Sequence, residues 1–298
     1  MPRRSVIGLI LGLMVAWGLV GSTPPPMPLG FISAFQWQSD DQLFGGFSAI
    51  ETDAGGTSFV TLSDRGSYTI GQFSRDQQGK INGVTAAPLR SLNGPDNLPL
   101  GEYRRDSEGL AILPDGQAFV SFEQIARVMS YPMLDGPGTV LPRPEAWKDM
   151  LSNSSLEALA VGANGTLYTL PEHSGNLSMP CPVYRFKDGV WDQPFSVPRR
   201  GKFLAAGADI GPDGRFYLLE REFYGLAGFA SRVRRFTIGE AGLVDEETLL
   251  QSVPGQHDNL EGLSVWRDAS GVLRLTMISD DNLLFLQRTE IVEYRVPG

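Results

Sequence analysis

The chain has 298 residues, 25 Lys and Arg against 34 Asp and Glu, a net charge of −9 and a 42% hydrophobic composition. This is a folded globular composition, and its acidic balance argues against a nucleic-acid partner, because no cationic surplus is available to displace phosphate counterions. Cys181 is alone and the histidines are two, His173 and His257, which excludes an internal disulfide, a cysteine-rich zinc site and a multi-histidine metal centre. In chain order, Arg3 and Arg4 precede an apolar run, Val6–Val20, then the small residues Gly21 and Ser22 and the proline-rich start of the mature part. That layout is a bacterial-type secretory signal peptide over residues 1–22, leaving residues 23–298 as one exported domain, periplasmic or secreted. At 15 residues the run is short for a membrane span, which needs about 20. An uncleaved run would anchor the protein, and the mature part itself carries no span.

From there on, short alternating apolar runs broken by Gly, Pro, Asp and Asn predict an all-β fold. Five hairpins share one register. They open at Ser48, Glu108, Glu157, Ala206 and Glu261, and their turns close at Gly56, Gly116, Gly165, Gly214 and Gly271. In the first four the opening residue lies eight positions before the turn glycine, and in the fifth it lies ten before. Further short strands follow most hairpins, at Tyr68–Phe73, Val183–Phe186, Arg232–Ile238 and Glu290–Val296. Repetition at this length predicts a β-propeller. Five blades are visible. A sixth would draw on Gly30–Gln38, Ser91–Arg105 or Pro132–Met150.

In a hairpin the start of one strand and the end of the next share an edge, and the first strand of a blade is innermost. The repeat therefore gathers Glu108, Glu157, Asp258 and Glu261 from strand starts around one mouth of the central channel. Asp64, Glu123, Glu172, Glu220, Asp280 and Asp281 join them from strand ends, with Asn282 and Asn259 alongside and Arg65, Arg104, Arg105 and Arg221 in equivalent places. Two carboxylates 4 Å apart repel by about 4 kcal/mol at an effective dielectric near 20. Arginines, raised pKa values or a hard cation must neutralise such a ring, and an all-oxygen donor set favours Ca²⁺.

Asp64-Arg-Gly, Asp106-Ser-Glu108-Gly-Leu-Ala, Ser121-Phe-Glu123, Leu156-Glu157-Ala-Leu-Ala, Leu219-Glu220-Arg221, Asp258-Asn-Leu-Glu261-Gly-Leu and Ser279-Asp280-Asp281-Asn282 together resemble the phytase-like domain family, also called the esterase-like activity of phytase family. The resemblance runs from about Phe44 to Val296. It implies an exported bacterial propeller and hydrolysis of phosphoester or ester bonds in a small-molecule substrate. On this reading Asp64, Glu108, Glu157, Asp258, Glu261, Asp280, Asp281 and Asn282 hold Ca²⁺. Arg65, Arg221, Glu123 and Glu220 form the catalytic group, with the arginines on the phosphate oxygens. The fourth unit departs from the pattern, with Ala206 where three others have Glu. No G-x-S-x-G elbow supports a serine hydrolase. His257, next to Asp258, is either a proton-transfer group or an ordinary loop residue. The alternative function is a non-catalytic binding propeller of the cell envelope with a structural cation, its face lined by aromatics such as Trp147, Trp191, Phe223 and Tyr224, with Trp266 expected in the core. We expect a monomer.

Overall fold

The computed structural model describes residues 26–148, 150, 155–176, 178–240 and 242–297, so residues 1–22, expected to be a signal peptide, lie outside the described residues. Strand β1 (Phe31–Gln36) comes first. Blade 1 follows as β2 (Phe47–Thr52), β3 (Ser58–Ser63), β4 (Ser67–Arg75) and β5 (Ile81–Ala86), with β6 (Arg90–Ser91) beside β4. Blade 2 is β7 (Ser107–Ile112), β8 (Ala118–Phe122), β9 (Arg127–Tyr131) and β10 (Thr139–Val140). Blade 3 is β11 (Leu156–Val161), β12 (Leu167–Pro171), β13 (Cys181–Lys187) and β14 (Val190–Val197). Blade 4 is β15 (Leu204–Ile210), β16 (Phe216–Phe223), β17 (Phe229–Gly239) and β18 (Gly242–Gln251). Blade 5 is β19 (Asn259–Arg267), β20 (Leu273–Asp280) and β21 (Glu290–Arg295), completed by β1. The protein is a five-bladed β-propeller.

The segments considered for a sixth blade are used otherwise. Gly30–Gln38 supplies β1, whose Ala34 and Phe35 pair with Val292 and Ile291 of β21. An N-terminal strand thus completes the last blade, and a backbone ladder closes the ring. Pro132–Met150 contributes β10, the outer strand of blade 2, and a single 3₁₀ turn at Glu145–Trp147. Five apolar clusters hold the ring together, one between each pair of neighbouring blades. Trp147 belongs to the cluster between blades 2 and 3, where it packs on Tyr184 and Trp191. Trp266 is buried with its indole N–H donating to Thr276 Oγ1 at 2.9 Å. Trp147 is therefore core rather than surface, Trp266 is core as expected, and Trp191 is partly buried against the same cluster as Trp147.

The inner strands carry the feature that positions the site. Each breaks register at the residue that opens its repeat: between Phe47 and Ala49, Ser107 and Leu110, Leu156 and Ala158, Ala205 and Gly207, and Leu260 and Gly262. A bulge inserts an unpaired residue and re-aims its side chain. The re-aimed residues are Ser48, Glu108 (with Gly109), Glu157, Ala206 and Glu261. The next position is always small: Ala49, Gly109, Ala158, Gly207 or Gly262. Crowding at the axis explains this. A Cβ on Gly207 would lie 2.3 Å from the Glu261 carbonyl oxygen, and one on Gly262 would lie 2.7 Å from the Ile50 nitrogen.

Candidate cation site in the channel mouth

Two residues before each bulge, the inner strand faces the end of its neighbour. The backbone N–H of Asp64 donates to Gly46 O at 2.8 Å, that of Glu123 to Asp106 O at 2.9 Å and that of Glu172 to Ser155 O at 3.0 Å. Leu204 pairs with Arg221 and Asn259 with Asp280 in the other two blades. Fivefold geometry therefore stacks the bulge residues Ser48, Glu108, Glu157, Ala206 and Glu261 with a ring of Asp64, Glu123, Glu172, Arg221 and Asp280. Asp106 adds one more acid. Eight carboxylates thus share the mouth with one arginine at the position where they recur.

Arg221 binds what it can reach. Its Nη2 lies 3.0 Å from Glu172 Oε1 and 3.2 Å from Glu261 Oε1, and its Nη1 donates to Asn259 Oδ1 at 3.1 Å. Asn259 Nδ2 donates in turn to Glu261 Oε1 at 2.8 Å. Burial opposes the arginine's charge, but Glu261, Glu157 and Glu172 outweigh it and hold the group strongly basic. The far side of the mouth has no such partner. Asp106, Glu108 and Glu123 place carboxylate oxygens within 4.8 Å of one another, and none forms an ion pair among the described residues. Their burial, with Asp106 as the largest charge neighbour, pushes Glu123 up to about 8. Glu108 rises well above the carboxylate range through burial and the charges of Glu157, Glu261, Asp106 and Glu123. Burial and Glu261 lift Asp280 to about 8, and burial, Glu261 and Asp106 lift Asp64 to about 6. Glu157 and Glu261 also rise, mainly by burial, although Arg221 pulls both back.

The remaining residues singled out from sequence sit elsewhere in the network. Glu220 is turned away from the channel, with Oε2 accepting from Arg232 Nε at 2.8 Å and Oε1 from Arg234 Nη2 at 2.6 Å. Asp258 accepts from the Arg288 N–H at 3.0 Å and from Gln287 Nε2 at 3.0 Å, and so holds a loop. Asp281 does the same for Gly46 N–H at 3.0 Å and Thr289 Oγ1 at 3.1 Å. The Asn282 side chain is exposed, while its N–H donates to Asp280 Oδ1 at 2.7 Å. Arg65 Nη2 donates to the carbonyls of Leu43 and Phe44. His257 is buried, with Nε2 at 2.6 Å from the Tyr294 hydroxyl, and burial lowers it to about 4, so it is an interior histidine.

Sequence reasoning left Asp106 and Glu172 out of the ligand and catalytic sets, although Asp106 lies inside a quoted motif and Glu172 is among the strand-end acids. Asp106 is legible as the residue two before the bulge, and Glu172 as the equivalent of Glu123. It also missed a second tier three residues along the inner strands, where Glu51, Asp209 and Ser264 occupy equivalent positions. Ser264 Oγ lies 3.3 Å from Glu51 Oε2, and Asp209 Oδ2 accepts the Val265 N–H at 2.6 Å. Burial raises both carboxyls, Asp209 to about 7.

The family model for phytase-like proteins, described as esterase-like activity of phytase, matches residues 42–283, from just before blade 1 to the loop after β20. The chain belongs to the phytase-like family. No curated protein matches the sequence. Among solved structures, the catalytic domain of an alpha-L-arabinofuranosidase from Coprinopsis cinerea is similar in fold, at 12% identity over 90% of this chain and 96% of that one, with a TM-score of 0.52. An alpha-L-arabinofuranosidase from Podospora anserina in complex with cellotriose is similar at 12% identity, 89% and 95% coverage and a TM-score of 0.50. Virginiamycin B lyase from Staphylococcus aureus gives 15% identity, 89% and 74% coverage and a TM-score of 0.42. The two arabinofuranosidases, at these identities, show a likeness of fold alone, and any chemistry must be argued from the mouth itself.

Proposed function

We propose that this phytase-like protein hydrolyses phosphoester or ester bonds with a Ca²⁺ ion held in the channel mouth. The observation that carries the reading is the set Asp106, Glu108 and Glu123, three carboxylates within 4.8 Å that form no ion pair among the described residues. The donor chemistry fits a hard cation: all ligand atoms are oxygens, and Ser155, whose N–H donates to Glu123 Oε1 at 3.1 Å, has a buried hydroxyl without a partner. Glu157, Glu261, Asp64 and Asp280 add negative charge around them. When bound, such an ion supplies charge neutralisation and polarises the oxygen of the ester under attack. Glu123, at about 8, is a group that takes or gives a proton near neutral pH. Arg221 keeps Glu172 and Glu261 in place and leaves the opposite acids to the cation.

One observation favours a second reading, in which the cation is structural and the propeller binds without turnover. Arg65 and Arg221, the two arginines expected to grip an anionic substrate, are both committed to protein acceptors. The test is release of p-nitrophenol from p-nitrophenyl phosphate and p-nitrophenyl acetate, with Ca²⁺ or with chelator, by the native chain and by Glu123→Gln. Calcium-dependent release lost in the variant supports hydrolysis. Calcium binding without release leaves the structural cation as the function. The proposal extends to export, supported by the layout of residues 1–22 and checked by sequencing the N-terminus of protein recovered outside the cytoplasm.

A further inference from the structure

The loops around the mouth carry an apolar surface that the acid chemistry does not use. Between β20 and β21 four consecutive large apolar residues, Leu283–Leu286, are exposed, Phe285 by 94% and Leu286 by 80%. This loop is built rather than slack. Asp281 Oδ1 accepts the N–H of Leu283 at 3.0 Å, the Leu284 N–H donates to Asp281 O at 2.8 Å and the Gln287 N–H to Leu284 O at 2.9 Å. Asn282 and Leu283 both sit at positive φ, +46° and +53°, which non-glycine residues seldom adopt. In blade 4 the end of β16 and the loop after it expose Phe223 (66%), Tyr224 and Leu226. The connection between β18 and β19 joins the two tips. Its Gly255 N–H donates to Phe229 O at 2.9 Å, its Asp258 accepts from Gln287, and its Val253 is exposed between them. An exposed apolar arc of this extent on a soluble fold marks a binding surface.

Where the chain comes in indicates what covers it. Gln256 Nε2, in the middle of this arc, donates to Pro26 O at 3.0 Å. Val20, the last residue of the apolar run Val6–Val20, is six residues before Pro26, so the run ends no more than about 20 Å from the arc. In the uncleaved, anchored form a segment that partitions into lipid is thus tethered beside these aliphatic tips, with Tyr224 suited to the boundary of such a layer. We propose that the mouth face docks on a lipid bilayer through Leu283–Leu286 and Phe223–Leu226, so that the channel opens onto the membrane surface. With a net charge of −9 the chain suits a zwitterionic bilayer better than an anionic one.

The test uses the full chain with an environment-sensitive fluorophore at Phe285→Cys or Leu226→Cys, and at Asp115→Cys in the opposite-facing β7–β8 turn as control. Cys181 is buried and spares the label. With phosphatidylcholine vesicles, labels at 285 and 226 should shift to the blue and lose most of their emission to quenchers on the acyl chains, while the label at 115 stays in water. Labels at 285 and 226 that stay in water on vesicle-bound protein overturn the proposal, as does an equal response at 115. A blue shift that grows with protein concentration in the absence of vesicles overturns it in favour of a second copy of the chain. None of these readouts involves hydrolysis, so the docking surface and the proposed activity stand or fall separately.

Discussion

The crowded mouth makes the stability of the metal-free protein depend on pH in a direction opposite to that of most carboxylate networks. Unfolded carboxyl groups titrate near 4, whereas Glu123 and Asp280 in the folded chain titrate at about 8. Between these values the folded state holds protons that the unfolded state has released. Stability is therefore fully present below about pH 4 and falls as pH rises towards 8. Each such group costs about 1.4 kcal/mol per pH unit, so two groups give about 4 kcal/mol between pH 6 and 7.5. Solvent reaching the mouth screens part of this, and half, about 2 kcal/mol, is the expected net loss. For a domain of this size that lowers the melting temperature by about 4–8 °C. Calcium should cancel the loss. At 100 times its Kd it adds about 2.7 kcal/mol, and because its ligands must be deprotonated it binds more tightly as pH rises. The assay is a set of thermal melts at pH 6 and 7.5 in chelator and in excess Ca²⁺. Equal melting temperatures at the two pH values in chelator would mean that the acids are already ionised and paired, and the account of the ring would be wrong. Superimposable melts in chelator and Ca²⁺ would remove the cation.

Glu108→Gln keeps the shape of the protonated acid and removes the cost of holding its proton among the other acids, so it should raise the melting temperature in chelator and shrink the Ca²⁺ shift in the same melts. Arg221→Met leaves Glu172 and Glu261 without their cation. A loss of about 3–5 kcal/mol is expected in chelator, and a smaller one in Ca²⁺, by urea unfolding under both conditions. Gly207→Ala pushes a methyl group to 2.3 Å from the Glu261 carbonyl and should cost about 1–3 kcal/mol in urea unfolding. It should also weaken Ca²⁺ binding measured by calorimetry, because the bulge that aims Glu261 must move.

By itself the sequence determined the blade pattern. Alternation of apolar residues sets strands, and turn glycines such as Gly116 (φ +92°) and Gly214 (φ +73°) set hairpin length. Both are local rules that act over a few residues. The same register places acids at strand starts and strand ends, so the acidic mouth was legible before any contact was known. Only the tertiary structure decided the number of blades, because Gly30–Gln38 reads as a strand in either case and its partner, β21, lies some 260 residues away (Phe31 opposite Tyr294). It also decided which acids converge. Glu220 and Arg221 are neighbours in one strand and point to opposite faces, so one joins Arg232 and Arg234 while the other enters the channel. Glu108, Glu157 and Glu261 reach the axis because a bulge re-aims each of them, and Asp258 and Asp281 are drawn off by backbone N–H groups of distant loops. Period and turn chemistry are written in neighbouring residues, whereas convergence depends on closing the ring, which brings together groups that no local spacing relates.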